Sequence, residues 1–247
     1  MANGYIIQGS GQSANLDPRS LKLERPIPPI RYNGATYVVA YSSPLARPGR
    51  YLAVYKTIDA TAPFTFSEMD LANEIETIYG AAFYPQTGGN LIYLALTVSG
   101  VSPSKVNILT FDMNTGTFSA VISSAGPTAF TSDGGFSIAH RANGNWLLGF
   151  NAVGGSQIED VWWSEYNGAT WSASAKVSTL AVASNDFATI ESMAINDATG
   201  DAAFYWDQQY HSEGYATHHR YLTVISNARG SWYKHQLEQQ QHYGHLR

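Results

Sequence analysis

The 247-residue sequence predicts an all-β protein, and within that class a β-propeller of four blades with four antiparallel strands each. Three observations predict it. Glycine turns precede apolar runs in "RYNGATYVVAY", "YPQTGGNLIYLAL", "HRANGNWLLGF" and "INDATGDAAFYW", and Gly34, Gly88, Gly144 and Gly200 recur every 54 to 56 residues. A second landmark is the aromatic residue ending "TIDATAPFTF", "TFDMNTGTF", "SEYNGATW" and "SNARGSW". It recurs every 52 to 61 residues, at Phe66, Phe118, Trp171 and Trp232. Finally, "YVVAY", "LIYLAL", "WLLGF" and "AAFYW" are apolar without alternation, as expected of strands covered on both faces. A propeller blade is sandwiched between its neighbours in that way.

Taken in order, residues 1–28 form an N-terminal arm or closing strand, 29–236 the propeller, and 237–247 a polar C-terminal tail. In the arm, "GYIIQGS" is expected to pair with the last blade through Ile6 and Ile7, hiding an edge that would otherwise invite aggregation. Gly9-x-Gly11-x-x-Ala14 imitates a dinucleotide fingerprint, but Pro18 stands where the required helix would run. The blades centre on 29–70, 77–124, 135–180 and 188–236. In the second, "TIYGAAFY", "NLIYLALTV", "KVNILTFD" and "TFSAVIS" are strand-like runs separated by Gly, Pro, Asn and Ser clusters. Between the first two blades, "SEMDLANEIETIY" is the best candidate for a turn or two of helix. In the third, Gly168 permits the tight turn of "WWSEYNGATWSAS" and Trp171 returns the chain onto its own blade. Trp171 and its counterpart Trp232 are therefore expected to be largely buried.

Composition excludes several classes. No cysteine is present, so disulfides and thiolate metal sites are ruled out. A net charge of −5 with only 13% charged residues argues against a protein held to nucleic acid by phosphate contacts. No run of about 18 apolar residues predicts a membrane-spanning helix. The first residues, "MANGYIIQGSGQ", lack the charged start and apolar core of a usual secretory signal. No Asn-x-Ser/Thr sequon occurs, which points towards a bacterial or viral setting. A virion or extracellular assembly is the expected location, with a homo-oligomer or larger assembly as an expected state. No cofactor is expected.

Ser164-x-x-x-Gly168-x-Thr170-Trp171 resembles the Asp-box of sialidase-like and BNR-repeat propellers, Ser-x-Asp-x-Gly-x-Thr-Trp, with Tyr166 in place of the aspartate. Thr57-x-Asp59 with Phe64-Thr65-Phe66, and Thr110-x-Asp112 with Gly116-Thr117-Phe118, are looser copies. Ser226, Gly230, Ser231 and Trp232 form a shorter one. The resemblance covers about residues 25–235 and implies a propeller, with these boxes away from any catalytic face. "ERPIPPIRYNGATYVVAY" is also similar to the family's Arg-Ile-Pro opening, which implies that Arg25, followed by the inserted Pro26 and then Ile27-Pro28, grips a substrate carboxylate. Arg141 and Arg220 are the only arginines that could join it from later blades, and no Tyr/Glu pair can be assigned. Four units are also fewer than the family's six blades.

Two further constellations bear on ligands. Asp207 lies between Trp206 and Tyr210, a set suited to a sugar, because rings stack on apolar sugar faces while carboxylates accept hydroxyl protons. His211, His218 and His219 flank the expected loop "SEGYAT", near Asp207 and Glu213, and such donors can hold a divalent metal. No His-x-x-x-His spacing supports them. The sequence thus predicts a non-catalytic propeller that binds a glycan or a protein partner, with a sialidase-like glycoside hydrolase as the alternative.

Overall fold

The computed structural model describes residues 21–22, 29–42, 51–58, 65–70, 78–86, 88–98, 105–130, 135–154, 158–178, 187–212, 215–226 and 232–242. They are all-β: no helix occurs among them, and none is long and apolar enough to cross a membrane. The chain forms four antiparallel sheets, one after another. Sheet 1 holds β1 (Leu21–Lys22), β2 (Ile30–Tyr32), β3 (Ala35–Ser42), β4 (Tyr51–Thr57) and β5 (Thr65–Asp70). β1 and β2 both pair with β3, so its inner edge is one strand broken in two, and the break spans the prolines of "RPIPP". Proline cannot donate to the ladder and is confined to such edges and breaks.

Sheet 2 holds β6 (Ile78–Pro85), β7 (Leu91–Val98), β8 (Lys105–Asp112) and an outer strand in two pieces, β9 (Thr117–Phe118) and β10 (Ile122–Ala125). Sheet 3 follows with β11 (Phe136–His140), β12 (Trp146–Gly154), β13 (Ile158–Tyr166) and β14 (Ala175–Lys176). Sheet 4 is the longest, with β15 (Phe187–Ile195), β16 (Ala202–Ser212), β17 (Tyr215–Ile225) and β18 (Trp232–His242). A single parallel pair, Glu159 with Phe187, joins sheets 3 and 4.

The period read from the glycines is physical. Gly34, Gly88, Gly144 and Gly200 all lie between the first and second strands of their sheets with φ of +74°, +65°, +91° and +73°. That left-handed region costs an L side chain about 1–2 kcal/mol, so the repeat keeps glycine there. The strands are buried on two faces as expected. In β7, Ile92, Leu94 and Leu96 pack on sheet 1, while Tyr93 and Ala95 pack towards sheet 3. In β12, Leu148 and Phe150 pack towards sheet 2 and Leu147 towards sheet 4. Three apolar clusters therefore join sheets 1 to 2, 2 to 3 and 3 to 4. Gly149 serves the last contact, since a Cβ there would strike Met193 Sδ and crowd Phe204 and Ile190.

Some expectations are corrected. "SEMDLANEIETIY" begins as strand, because Ser67–Asp70 pairs with β4. The polar C-terminal tail 237–247 is strand as far as His242, which pairs with Ala216. Its polar residues are held by backbone bonds to the unusually long β17. Trp171 is half-buried rather than fully buried: it bridges to Tyr166, 5.1 Å between ring centres, at the cluster's edge. "GYIIQGS", the Gly9 to Ala14 motif and the side chain of Trp232 lie outside the described residues.

Candidate functional site

Strand order gives the four sheets two unlike rims. The chain turns between first and second strands, and between third and fourth, at one rim, here the turn rim. It turns between second and third strands, and passes to the next sheet, at the other, the crossover rim.

The turn rim is built of self-satisfied turns. Asp112 Oδ1 accepts from Asn90 Nδ2 at 2.7 Å and from the Asn114 amide at 2.8 Å, and these bonds hold its carboxyl below the usual range. Asn167 Oδ1 does similar work in the third sheet, accepting from the Ala169 and Thr170 amides. Ser164 Oγ is buried and donates to the Ser172 carbonyl at 2.8 Å, while Tyr166 Oη donates to the Gly168 carbonyl at 3.1 Å. Tyrosine thus ties down the turn where an Asp-box has aspartate. A groove between sheets 1 and 2, lined by Lys56, Ser67 and Asn114, is likewise a seam. Tyr37 Oη donates to the Met113 carbonyl across it at 3.0 Å, and Ser67 Oγ to the Gly116 carbonyl at 2.7 Å.

Buried polar side chains gather instead in the crossover half. Asn107 in β8 and Gln208 in β16 are fully buried, and both polar atoms of each amide lack a hydrogen-bond partner. Asn107 lies on the sheet-1 side with Leu109 and Phe111, and Gln208 on the sheet-3 side with Phe204 and Trp206. Asn151 Oδ1 accepts from the Ile190 amide at 2.9 Å, bridging sheets 3 and 4. Asp160, nearly buried, accepts from Lys176 Nζ at 2.5 Å and from Ser178 Oγ at 3.0 Å. Lys176 Nζ also sits 5.2 Å from the Trp162 ring centre. His219 Nδ1 is 3.3 Å from Tyr221 Oη, on the strand position opposite Gln208. Buried amides without partners are rare and costly, about 1–3 kcal/mol each, and they mark places that a ligand with matching hydroxyls would satisfy.

The residues singled out from sequence fall as follows. Trp206 is fully buried: its Nε1 donates to Thr223 Oγ1 at 2.9 Å and its ring stacks on Tyr221, centres 4.5 Å apart. It anchors the core and offers no ring face to a sugar. Asp207 alternates to the other face of sheet 4, opposite Arg220 in register, so it does not act beside Trp206. Tyr210 pairs with Thr217 in register, and Arg25 lies outside the described residues. The histidines stand on strands rather than on a loop, because β16 and β17 run to Ser212 and from Tyr215. His211 and His218 occupy one face of the ladder and His219 the opposite one, so alternation separates the three. Among the described residues no group of three metal-ligating side chains converges.

Arg141 is buried too. Its guanidinium donates to the Gly200 carbonyl and lies 3.5 Å from Glu165 Oε1, which accepts from Asn145 Nδ2 at 2.7 Å. It clasps the first hairpins of sheets 3 and 4 and is not available to a substrate carboxylate. The sequence reading passed over Asn107 and Gln208. Their one signal was an amide inside an apolar run, "KVNILTFD" and "AAFYWDQQY".

With this geometry in hand, comparison with known proteins gives one kind of likeness. No family model matches the chain, and no curated protein matches it by sequence. Two solved structures of an ulvan lyase, described as a new family of polysaccharide lyase, PL25, match with a TM-score of 0.58 and 13% identity. One of them is bound to -[GlcA(1-4)Rha3S]-. The match covers 86% of this chain and 55% of theirs, so the chain spans about half the length of those structures. At that identity the likeness is one of fold.

Proposed function

We propose that the chain is a propeller-type module that binds a polysaccharide at its crossover rim without turning it over. The observation that carries this is the fold shared with a polysaccharide lyase, one of whose structures holds an acidic glycan. The rim supplies suitable chemistry. An amide both donates and accepts, as a sugar hydroxyl does, and Gln208 and Asn107 hold that capacity unused. Trp162 beside Lys176 adds an aromatic body next to a cation, fit for a sugar face that carries an anionic group. The reading as binding rather than catalysis draws on Asp160, whose carboxylate is engaged by Lys176 and Ser178 instead of being poised as an acid. The four glycine-turned sheets and the Asp-box-like turns support placing the module among sialidase-like propellers.

Titration calorimetry against ulvan and a panel of neutral and acidic polysaccharides tests the proposal. The reactions should also be followed for unsaturated uronate absorbance and for reducing ends. Binding without product supports the reading. Product release overturns its non-catalytic part, and glycoside turnover that vanishes in Arg25→Ala would establish a hydrolase. Failure to bind any polysaccharide overturns the ligand class.

A further inference from the structure

We propose that the outward face of sheet 4 docks onto sheet 1 of a second copy of this chain, so that two copies complete one ring. The inference rests on the propeller reading and concerns a surface apart from the glycan rim. Its basis is the repeat itself. Counting by the glycine period, Val38, Ile92, Leu148 and Phe204 are equivalent positions in the second strands of the four sheets. Ile92, Leu148 and Phe204 are each fully buried against the preceding sheet. Val38 has no preceding sheet in the chain and is only half-buried.

The opposite faces obey the same rule. Val39, Tyr93, Gly149 and Tyr205 are equivalent, and the first three meet the following sheet. Tyr205 has no following sheet. Neither end face has the composition of a solvent face. Tyr205 and Leu222 are direct cross-strand partners on sheet 4, as are Val38 and Tyr55 on sheet 1. Aromatic–aliphatic pairs of this kind form the internal contacts, and half-buried apolar sheet faces are normally covered. The surface shaped to fit a sheet-4 face is a sheet-1 face, because every internal contact joins those two kinds of side.

The occupant is a second copy. No apolar cluster among the described residues joins sheet 4 to sheet 1, and the four sheets superpose on 55% of a longer all-β chain, as a segment of a wider array would. Two copies related by a twofold axis would bring sheet 4 of each onto sheet 1 of the other. That makes two equal contacts and a closed ring of eight sheets, within the usual range of about four to eight blades.

The chain's lack of cysteines makes the test clean. Val38→Cys and Tyr205→Cys are placed together in the full chain, which is treated with a short bis-maleimide at dilute concentration and mapped by mass spectrometry. The expected product is a covalent two-chain species linking position 38 of one copy to 205 of the other, with no such product from either single variant. Light scattering should give a dimer for the unmodified chain and a monomer of unchanged circular dichroism for Leu222→Arg. A link within one chain overturns the second copy and leaves a self-closed propeller. A monomer that forms no link overturns both the dimer and the ring, whereas loss of glycan binding alone would touch neither.

Discussion

Gln208→Met should make the protein more stable and its ligand weaker. The amide is fully buried on the sheet-3 side of β16, and both its polar atoms lack a protein partner. Folding therefore strips water from two groups and returns no hydrogen bond, at a cost of about 1–3 kcal/mol for each group left unsatisfied. Methionine keeps the length and adapts its shape, so the packing against Phe204 and Trp206 survives with little strain. Allowing for some loss of fit, the gain should be about 2 kcal/mol, or roughly 4–8 °C in Tm for a chain of this size. If Gln208 meets the glycan, the same change removes one or two hydrogen bonds and leaves sugar hydroxyls facing a thioether. Affinity should then fall by about tenfold or more. Urea and thermal unfolding read the first effect and calorimetry the second. A lower Tm in Gln208→Met would refute the reasoning, because it would mean that the amide is already satisfied in the folded protein.

Other perturbations probe the frame. Gly149→Ala should destabilise by about 1–3 kcal/mol in urea unfolding, because its Cβ overpacks the contact with Met193 and Phe204. Gly144→Ala, which meets nothing within 4 Å, should cost about 1–2 kcal/mol through its positive φ alone. Lys176→Met should cost about 1–2 kcal/mol, since the nearly buried Asp160 loses its cation but keeps Ser178, and Lys176 is itself half exposed. His140 lies flat on Tyr93, centres 3.9 Å apart, and burial holds its pKa below the ordinary imidazole value. The unfolded chain therefore takes the proton more readily, so this contribution is complete above about pH 6.5 and is lost as the pH falls towards the lower folded value. His140→Phe should flatten the dependence of Tm on pH below about 6.5 relative to the parent; an unchanged slope would assign it to other groups.

What could be read from the sequence divides by range. Gly34, Gly88, Gly144 and Gly200 announced the four sheets because a left-handed turn is a local demand that one residue type meets. Strand burial on two faces was legible for the same reason: "LIYLAL" has no polar side to give to water. The site was another matter. Trp206 and Asp207 looked like neighbours on one surface, but pleating sends them to opposite faces, and only the register of β16 decides which is buried. Arg141 read as a spare cation because its partner carbonyl, at Gly200, lies 59 residues away. Asn107 and Gln208 were invisible as a pair because nothing in a strand's own sequence says that an amide will find no partner.

The serial contact of the sheets bears on how the protein is made. Each hairpin is local, and each apolar cluster joins only sheets that follow one another in the chain. Little of the fold has to wait for distant residues, which favours rapid acquisition of structure. A nascent chain can complete sheet 1, lay sheet 2 on it, and continue in the order of synthesis, as repeat arrays do. Sheet 4, last from the ribosome, carries the longest ladder. Its three strands of eleven residues, β16, β17 and β18, rest their backbone bonds on one another before anything else must arrive.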